Sequence, residues 1–265
     1  MKSQLNQQNL NQQKKQLQNL RKPPRNNMFA LYKKELQFYL NNPIGYIILG
    51  LFGVFANFLF VKDVFVVGSA SMKAFFDILP WLTMIVVPAL AMRSFAEEKR
   101  TNTLEVLLSL PISETQIVLA KFLAYLTLFA LGLALTFVLP VSLYILSGQV
   151  GARISLIEVF IGYLGELMLA SLAIALSMLF SVKTSNQVVA LLSSILVLFF
   201  LIVLSTDFVA GFLPLMIQQV LSYLSPITQL ESFIKGLLDL RSVYYFISFT
   251  AVCLFLTIID LERRK

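Results

Sequence analysis

Histidine is absent from the 265 residues, and cysteine occurs once, at Cys253. These absences exclude a zinc site built on His or paired Cys, and they exclude a disulfide framework. They also exclude hydrolytic machinery that uses His as its base. Charge is scarce too: 13% of residues are Asp, Glu, Lys or Arg, about half of what a soluble domain carries. No Gly-x-x-x-x-Gly-Lys-Ser/Thr run is present to cradle nucleotide phosphates, and no Gly-x-Ser-x-Gly turn to present a nucleophile. The residues name no catalytic group, no metal and no cofactor.

What is abundant is apolar. Hydrophobic side chains make up 58% of the chain, Phe alone occurs 23 times, and the mean hydropathy is +0.80. Disorder is excluded for most of the length. Such a chain belongs in lipid, where helices satisfy their own backbone groups. The fold class is therefore an all-α polytopic membrane protein.

Six apolar runs are long enough to cross: Ile44–Val61, Ala74–Met92, Phe122–Leu146, Leu156–Phe180, Val188–Leu204 and Val243–Ile259. The second contains Pro80 and Pro88, and the loop before it carries Lys62, Asp63, Gly68, Ser69, Ser71 and Lys73. An even number of spans puts both termini on one side. Sixteen of the 21 basic residues then fall on that side, which makes it cytoplasmic by the positive-inside rule. The net charge of +7 reports this orientation, not nucleic-acid binding.

The first 27 residues differ in kind. They are rich in Gln and Asn, carry six basic residues and no acid, and lack the apolar core of a signal peptide. They read as a disordered basic tail, with nucleic-acid binding as the sharper alternative. Residues 28–43 follow, with Phe29, Tyr32, Leu36 and Tyr39 on one helical stripe before Asn41-Asn42-Pro43. That pattern predicts an amphipathic helix in the membrane interface. Residues 44–265 form the six-span domain.

Two apolar segments do not cross. After the second span, Arg93–Arg100 is charged, and Asn102 with Glu105 has the spacing of a capping box for a helix over Leu104–Leu110. Pro111 stops that helix, and Ser113 with Gln116 caps the next span. A helix this apolar and this short needs a partner, either the membrane surface or a groove on another protein. The second segment is 205–242, interrupted by Gly211, Pro214 and Pro226. It reads as a re-entrant pair of half-helices or as an outer interfacial helix.

One acid lies well inside a span. Glu166 is ten residues into the fourth run, about 15 Å along a helix. It is either a functional intramembrane carboxylate or part of an amphipathic lead-in with Glu158 to a span that begins near Leu164.

The run Arg93-Ser94-Phe95-Ala96-Glu97-Glu98-Lys99-Arg100, then Thr103-Leu104-Glu105-Val106-Leu107-Leu108-Ser109-Leu110-Pro111, then Ile117–Phe122, resembles the central motif of type-2 ABC transporter permeases. It is most similar to the gliding-motility-associated permease subunit. Gly162-Tyr163-Leu164-Gly165, Ser185–Ala190, Leu224-Ser225-Pro226 and Glu231-Ser232-Phe233 with Gly236 extend the resemblance over residues 28–265. It implies a permease subunit of an ATP-driven exporter in the bacterial inner membrane. ATP hydrolysis then belongs to a separate ATPase subunit, and a second permease subunit, identical or different, completes the path. The short helix becomes a coupling helix and residues 28–43 a connecting helix. Arg93, Glu97, Glu98, Asn102, Thr103, Glu105 and Leu107 become the ATPase contact. Gly211, Pro214, Pro226, Glu231 and Gly236 become an outer re-entrant gate. Two departures stand out: Asn102 replaces a usual Gly, and Gln229 replaces a common His. An ion-coupled secondary transporter using Glu166, or a non-transporting membrane scaffold, are the rival readings.

Overall fold

The computed structural model describes residues 27–67, 72–150, 155–203, 221 and 223–264. Among them every regular element is a helix. In chain order these are α1 (Asn27–Asn41), α2 (Pro43–Val67), α3 (Lys73–Ala91), α4 (Arg93–Arg100), α5 (Leu104–Leu108), α6 (Glu114–Ala134), a 3-10 turn (Leu135–Phe137), α7 (Val138–Val150), α8 (Leu156–Lys183), α9 (Gln187–Val203), α10 (Pro226–Ile234) and α11 (Leu240–Glu262).

Five stretches are long and apolar enough to cross a membrane: Pro43–Val61, Lys73–Arg100, Glu114–Ser142, Leu156–Lys183 and Leu240–Glu262. Helix α9 is apolar but shorter. The multi-pass helical class stands. Two boundaries move. Lys62 and Asp63, expected in a loop, continue the backbone of α2 to Val67. Arg93–Arg100, expected as charged loop, is helical, because its Arg93–Glu97 pair sits at the i,i+4 spacing that supports a helix.

Helix α8 is the hub. It packs on α3, α4, α6, α9, α10 and α11, and 72% of its apolar window is buried, against 33% for α2 and 28% for α11. Its sequence explains this. Gly162, Gly165, Ala170, Ala173, Ala175, Ser177 and Ser181 are small and buried, so neighbouring helices approach closely. A Cβ at Gly165 would lie 2.5 Å from Phe233 Cβ, and one at Gly162 would lie 2.5 Å from the Phe76 ring. The glycine pair is thus a seat for α10 on one side and α3 on the other. By contrast, α2 presents Tyr46, Ile47, Val54 and Phe58 outward, and α11 presents Tyr244, Ile247 and Phe255.

Helix α1 is not merely laid on a surface. It packs along α6 and against α2, burying Leu31 and Tyr39. The predicted stripe is partly displaced. Phe29 is exposed, while Tyr32 and Leu36 pack against the core from its edge.

Candidate functional site

The charged segment after α3 forms an elbow: α4, a tight turn, and α5. Its base is held by one hydroxyl. Ser181 of α8 accepts from the backbone N–H groups of Phe95 and Ala96, both at 3.0 Å, and donates to the Met92 carbonyl at 2.8 Å. The N–H groups in the first turn of a helix have no intrahelical partner, and here a neighbouring helix supplies one. Lys99 adds a second tie, donating to the Val182 carbonyl. Tyr39 of α1 adds a third, donating to the Leu90 carbonyl at 2.5 Å. Burial raises the Tyr39 phenol above its ordinary pKa, against the opposing pull of Arg93.

The two adjacent acids face different ways. Glu97 meets Arg93 at 2.5 Å and Arg100 at 3.4 Å, and accepts from Gln187 Nε2 of α9 at 2.8 Å. Glu98 turns inward to Lys121 of α6 at 2.8 Å. Lys121 is 1% exposed and also meets Glu35 of α1, again at 2.8 Å. One buried ammonium therefore joins α1, α4 and α6. Its Nζ also lies 5.2 Å from the centre of the Phe95 ring. A cleft of about 210 Å³ opens beside the triad, with Glu35, Tyr39, Arg93, Glu97, Glu98 and Lys121 in its wall.

The turn differs from the predicted capping box. Asn102 does not cap α5; the cap position is Thr103, whose side chain makes no capping bond there. Asn102 instead has φ 54°, the only described non-glycine residue at positive φ. Thr103 N–H bonds the Glu98 carbonyl at 2.9 Å and Asn102 N–H bonds Lys99 at 3.2 Å. This 6→1 and 5→2 pair is a Schellman ending of α4. Asn is the usual substitute for Gly there, because its short side chain tolerates the left-handed region. The Thr103 hydroxyl reinforces the turn by donating to the Glu98 carbonyl at 3.3 Å. The second cap is as expected: Ser113 Oγ accepts from Gln116 N–H at 3.3 Å.

Helix α5 presents two faces. Leu104, Leu107 and Leu108 are buried against the body, whereas Glu105 and Val106 point outward, Val106 at 63% exposure, and Leu110, just past the end of α5, is exposed beside them. Of the residues expected at a protein contact, Asn102, Thr103 and Glu105 are exposed, Arg93 and Glu97 are half-buried, and Leu107 faces inward. The sequence reading included Val106 and Leu110 in an apolar helix that needs a partner but named Leu107 as the contact, and it missed Lys121, Glu35, Gln187 and Ser181 as the supports. Lys121 carried a signal: it is a lone cation at the mouth of an apolar run, and such a charge needs partners.

At the opposite end of the bundle, Pro226 opens α10 at its first turn, where a missing N–H costs nothing. Gly236 ends it at φ 73°. Glu231 is exposed and pairs with Lys235 at 3.0 Å. Gln229 Oε1 accepts from Ser242 at 3.0 Å, so it has a local bonding role of its own. Gly211 and Pro214 lie outside the described residues, as does the basic tail before Asn27.

Glu166 is not in an exposed lead-in. It is 1% exposed at the α3–α8 contact, where Thr83 donates to its Oε1. Its Oε2 is buried with no hydrogen-bond partner among the described residues.

Five long apolar helices with a polar, internally braced elbow define a multi-pass membrane protein. The family comparison makes this specific. The model of the ABC-2 family transporter protein matches residues 2–260, and the chain belongs to that family. The match takes in most of the basic tail. Membership makes the chain a membrane permease of an ABC transporter, a system that includes an ATPase partner. No curated protein matches the chain.

Proposed function

We propose that the chain is the membrane-spanning subunit of an ATP-driven exporter, and that the elbow is where its ATPase subunit docks. Six spans, with α9 as the fifth, would place both termini and the elbow in the cytoplasm of a bacterium. A second permease subunit would complete the path, because among the described residues the hub helix α8 is occupied by α3, α4, α6, α9, α10 and α11 of its own chain. The narrower assignment to gliding motility rests on motif resemblance alone.

The observation that carries this reading is the pairing of a small exposed apolar face with a stiff base. Val106 on α5 and Leu110 just past its end are exposed near Glu105, while α4 is fastened to α1, α6 and α8 by the bonds around Lys121 and Ser181. A push on α5 is therefore delivered to three helices at once. Glu97 and Glu98 serve mainly as internal braces in this reading.

The test targets the exposed face only. Val106→Asp with Leu110→Asp should reduce co-purification of a tagged ATPase by about tenfold or more, as expected for removal of anchor residues. The thermal midpoint of the permease should stay unchanged. Full co-purification by the double variant would sink the docking assignment. Reversing Glu97 and Glu98 is a poorer test, since it also breaks the elbow's own ion pairs.

A further inference from the structure

We propose that Glu166 is a proton-binding site inside the bundle, and that the neutral acid it becomes ties α3 to α8. The site is built from packing among the described residues, and it is independent of the ATPase docking surface. Glu166 is 1% exposed, and so is its partner Thr83. Thr83 bonds Oε1, and Oε2 has no hydrogen-bond partner among the described residues. No ion pair among them includes Glu166.

An ionised carboxylate brings a full charge and about four lone-pair sites. Once buried, it needs a paired charge or several donors. One hydroxyl is too little. A proton taken up from water removes the charge. On Oε1 it reverses the existing contact, so that the carboxyl donates and the Thr83 oxygen accepts. Oε2 then becomes a carbonyl oxygen, and an unfilled carbonyl costs a protein interior less than an unpaired charge does.

Among the described residues, the helices packed on α8 bring no free cation to this level. On α3, Lys73 and Asp77 lie toward the far end, and Asp77 is six residues before Thr83, about 9 Å along the helix. On α4 the charges belong to the elbow. Arg93 comes ten residues after Thr83, about 15 Å along the chain of helices, and is paired with Glu97. On α6, Lys121 is taken by Glu35 and Glu98, Tyr125 packs on Tyr39, and Glu114 lies at the helix start. Helix α9 contains no titratable residue. On α10, Glu231 and Lys235 pair with each other. On α11, Tyr245 donates to the Leu224 carbonyl at 2.5 Å, Cys253 is a buried thiol, and Asp260 meets Lys183 of α8. Arg241, Tyr244 and Glu262 stand exposed. Along α8 itself, Glu158 is eight residues away, about 12 Å, and the Tyr163 hydroxyl is bonded to Thr136 at 2.9 Å.

The position gives the proton a mechanical role. Met92 joins α3 directly to α4, so α3 is the span that carries the elbow. Gly165, next to Glu166, is the seat of α10. The neutral acid therefore holds the elbow's span on the hub beside that seat, and ionisation puts an unpaired charge into the same contact. A folded chain that keeps a proton its unfolded form releases loses stability as pH rises. An ordinary Glu releases its proton near pH ~4.3. From there upward the folded-to-unfolded ratio falls about tenfold per pH unit, until Glu166 itself ionises.

The experiment uses the intact transporter in lipid nanodiscs, with its glutamate carboxyl groups isotope-labelled for infrared spectroscopy. At about pH 6, where an ordinary Glu is almost fully ionised, the unaltered protein should show the stretch of a neutral carboxyl, and Glu166→Gln should lack it. Gln keeps the size of the side chain and an acceptor for Thr83, so the variant should fold. Between about pH 5 and about pH 8 the thermal midpoint of the unaltered protein should fall relative to that of Glu166→Gln. Thr83→Val serves as a second variant, whose loss of the hydroxyl should move the neutral-carboxyl stretch to the position of an unbonded acid. A Glu166 carboxylate already ionised at about pH 6 overturns the proposal. So do parallel midpoint curves for the unaltered protein and Glu166→Gln, or a stretch unchanged in both variants. A midpoint that rises with sodium concentration in the unaltered protein but not in Glu166→Gln would put a metal cation in the site, which also overturns it. Loss of ATPase binding with the stretch retained leaves the proton site intact, so the two readings fail separately.

Discussion

The two ends of the bundle hold their short helices by a different balance of forces. At the elbow, α4 is held by charge and hydrogen bonds inside the protein: Lys121 between Glu35 and Glu98, and Ser181 under two backbone N–H groups. At the far end, α10 is held mainly by shape, with Phe233 against Gly165 and Phe246, and among the described residues its side-chain hydrogen bonds to another helix are confined to the hydroxyl of Ser242 on α11, which meets Gln229 and Ser232. Its charged pair, Glu231–Lys235, is more than half exposed. Directional bonds fix an angle, whereas apolar contacts allow sliding. On the proposed reading the elbow transmits a displacement, whereas the far helix is seated. Breaking each device in turn tests the contrast.

The largest effect is expected at Lys121. Lys121→Met leaves Glu35 and Glu98 facing each other without their cation, in a site where Lys121 was 1% exposed. Removing one member of a buried ionic group typically costs about 3–5 kcal/mol. Thermal unfolding in detergent should show a drop of that order. The triple variant Lys121→Met, Glu35→Gln, Glu98→Gln should recover much of it, because no uncompensated charge remains. A small loss in the single variant would mean that the elbow is not held by charge.

Next comes the seat of the far helix. Gly165→Ala puts a methyl group 2.5 Å from Phe233 Cβ and 2.9 Å from Leu230 Cδ1. Overpacking of this kind costs about 1–3 kcal/mol. Phe233→Ala removes the ring but keeps that Cβ, so only partial relief is expected when the two are combined. Phe233→Gly would give the fuller rescue. Additive losses in the Gly165→Ala, Phe233→Gly pair would show that the two positions are not in contact.

These two devices were not equally legible in the sequence. The apolar runs placed most helices within a few residues, since a lipid-crossing stretch has a fixed minimum length. Ser113 was legible as a helix start because caps are local signals, whereas Pro226 was read as an interruption of an apolar run and in fact opens α10. The triad was not, because Glu35, Glu98 and Lys121 are brought together only by the packing of three helices. Glu97 and Glu98 look alike as neighbours in the chain. The 100° step between them on α4 sends one toward α9 and the other toward α6. Glu166 was left between an intramembrane carboxylate and an amphipathic lead-in, and the α3–α8 contact buries it. Asn102 was read as a cap and, through the family resemblance, as standing where a Gly is usual. The turn is what forms, because the carbonyls at the end of α4 need partners as much as the N–H groups of α5 do.

The smallest effects concern that turn, which recurs at both ends. Gly236 closes α10 as Asn102 closes α4. Gly236 N–H bonds the Phe233 carbonyl at 2.9 Å and Leu237 N–H bonds Ser232 at 2.9 Å, the same 5→2 and 6→1 pair. The left-handed region costs an ordinary L-residue about 1–2 kcal/mol. Gly236→Ala should therefore lower stability by about that amount. Its new Cβ, 2.5 Å from Glu158 Cγ, adds little, since Glu158 is exposed and can swing away. Asn102→Gly should change stability by only a few tenths of a kcal/mol, because relief of backbone strain is offset by the entropy a glycine brings to the unfolded chain. Asn102→Ala should cost about as much as Gly236→Ala. The functional outcomes should then divide. Slackening the turn at Asn102 loosens the link between the exposed face of α5 and the braced α4, so ATPase-coupled transport should fall in Asn102→Gly while its thermal midpoint holds. A matched loss of transport and stability would place the effect in folding instead, and the elbow would be no more a lever than the seat is.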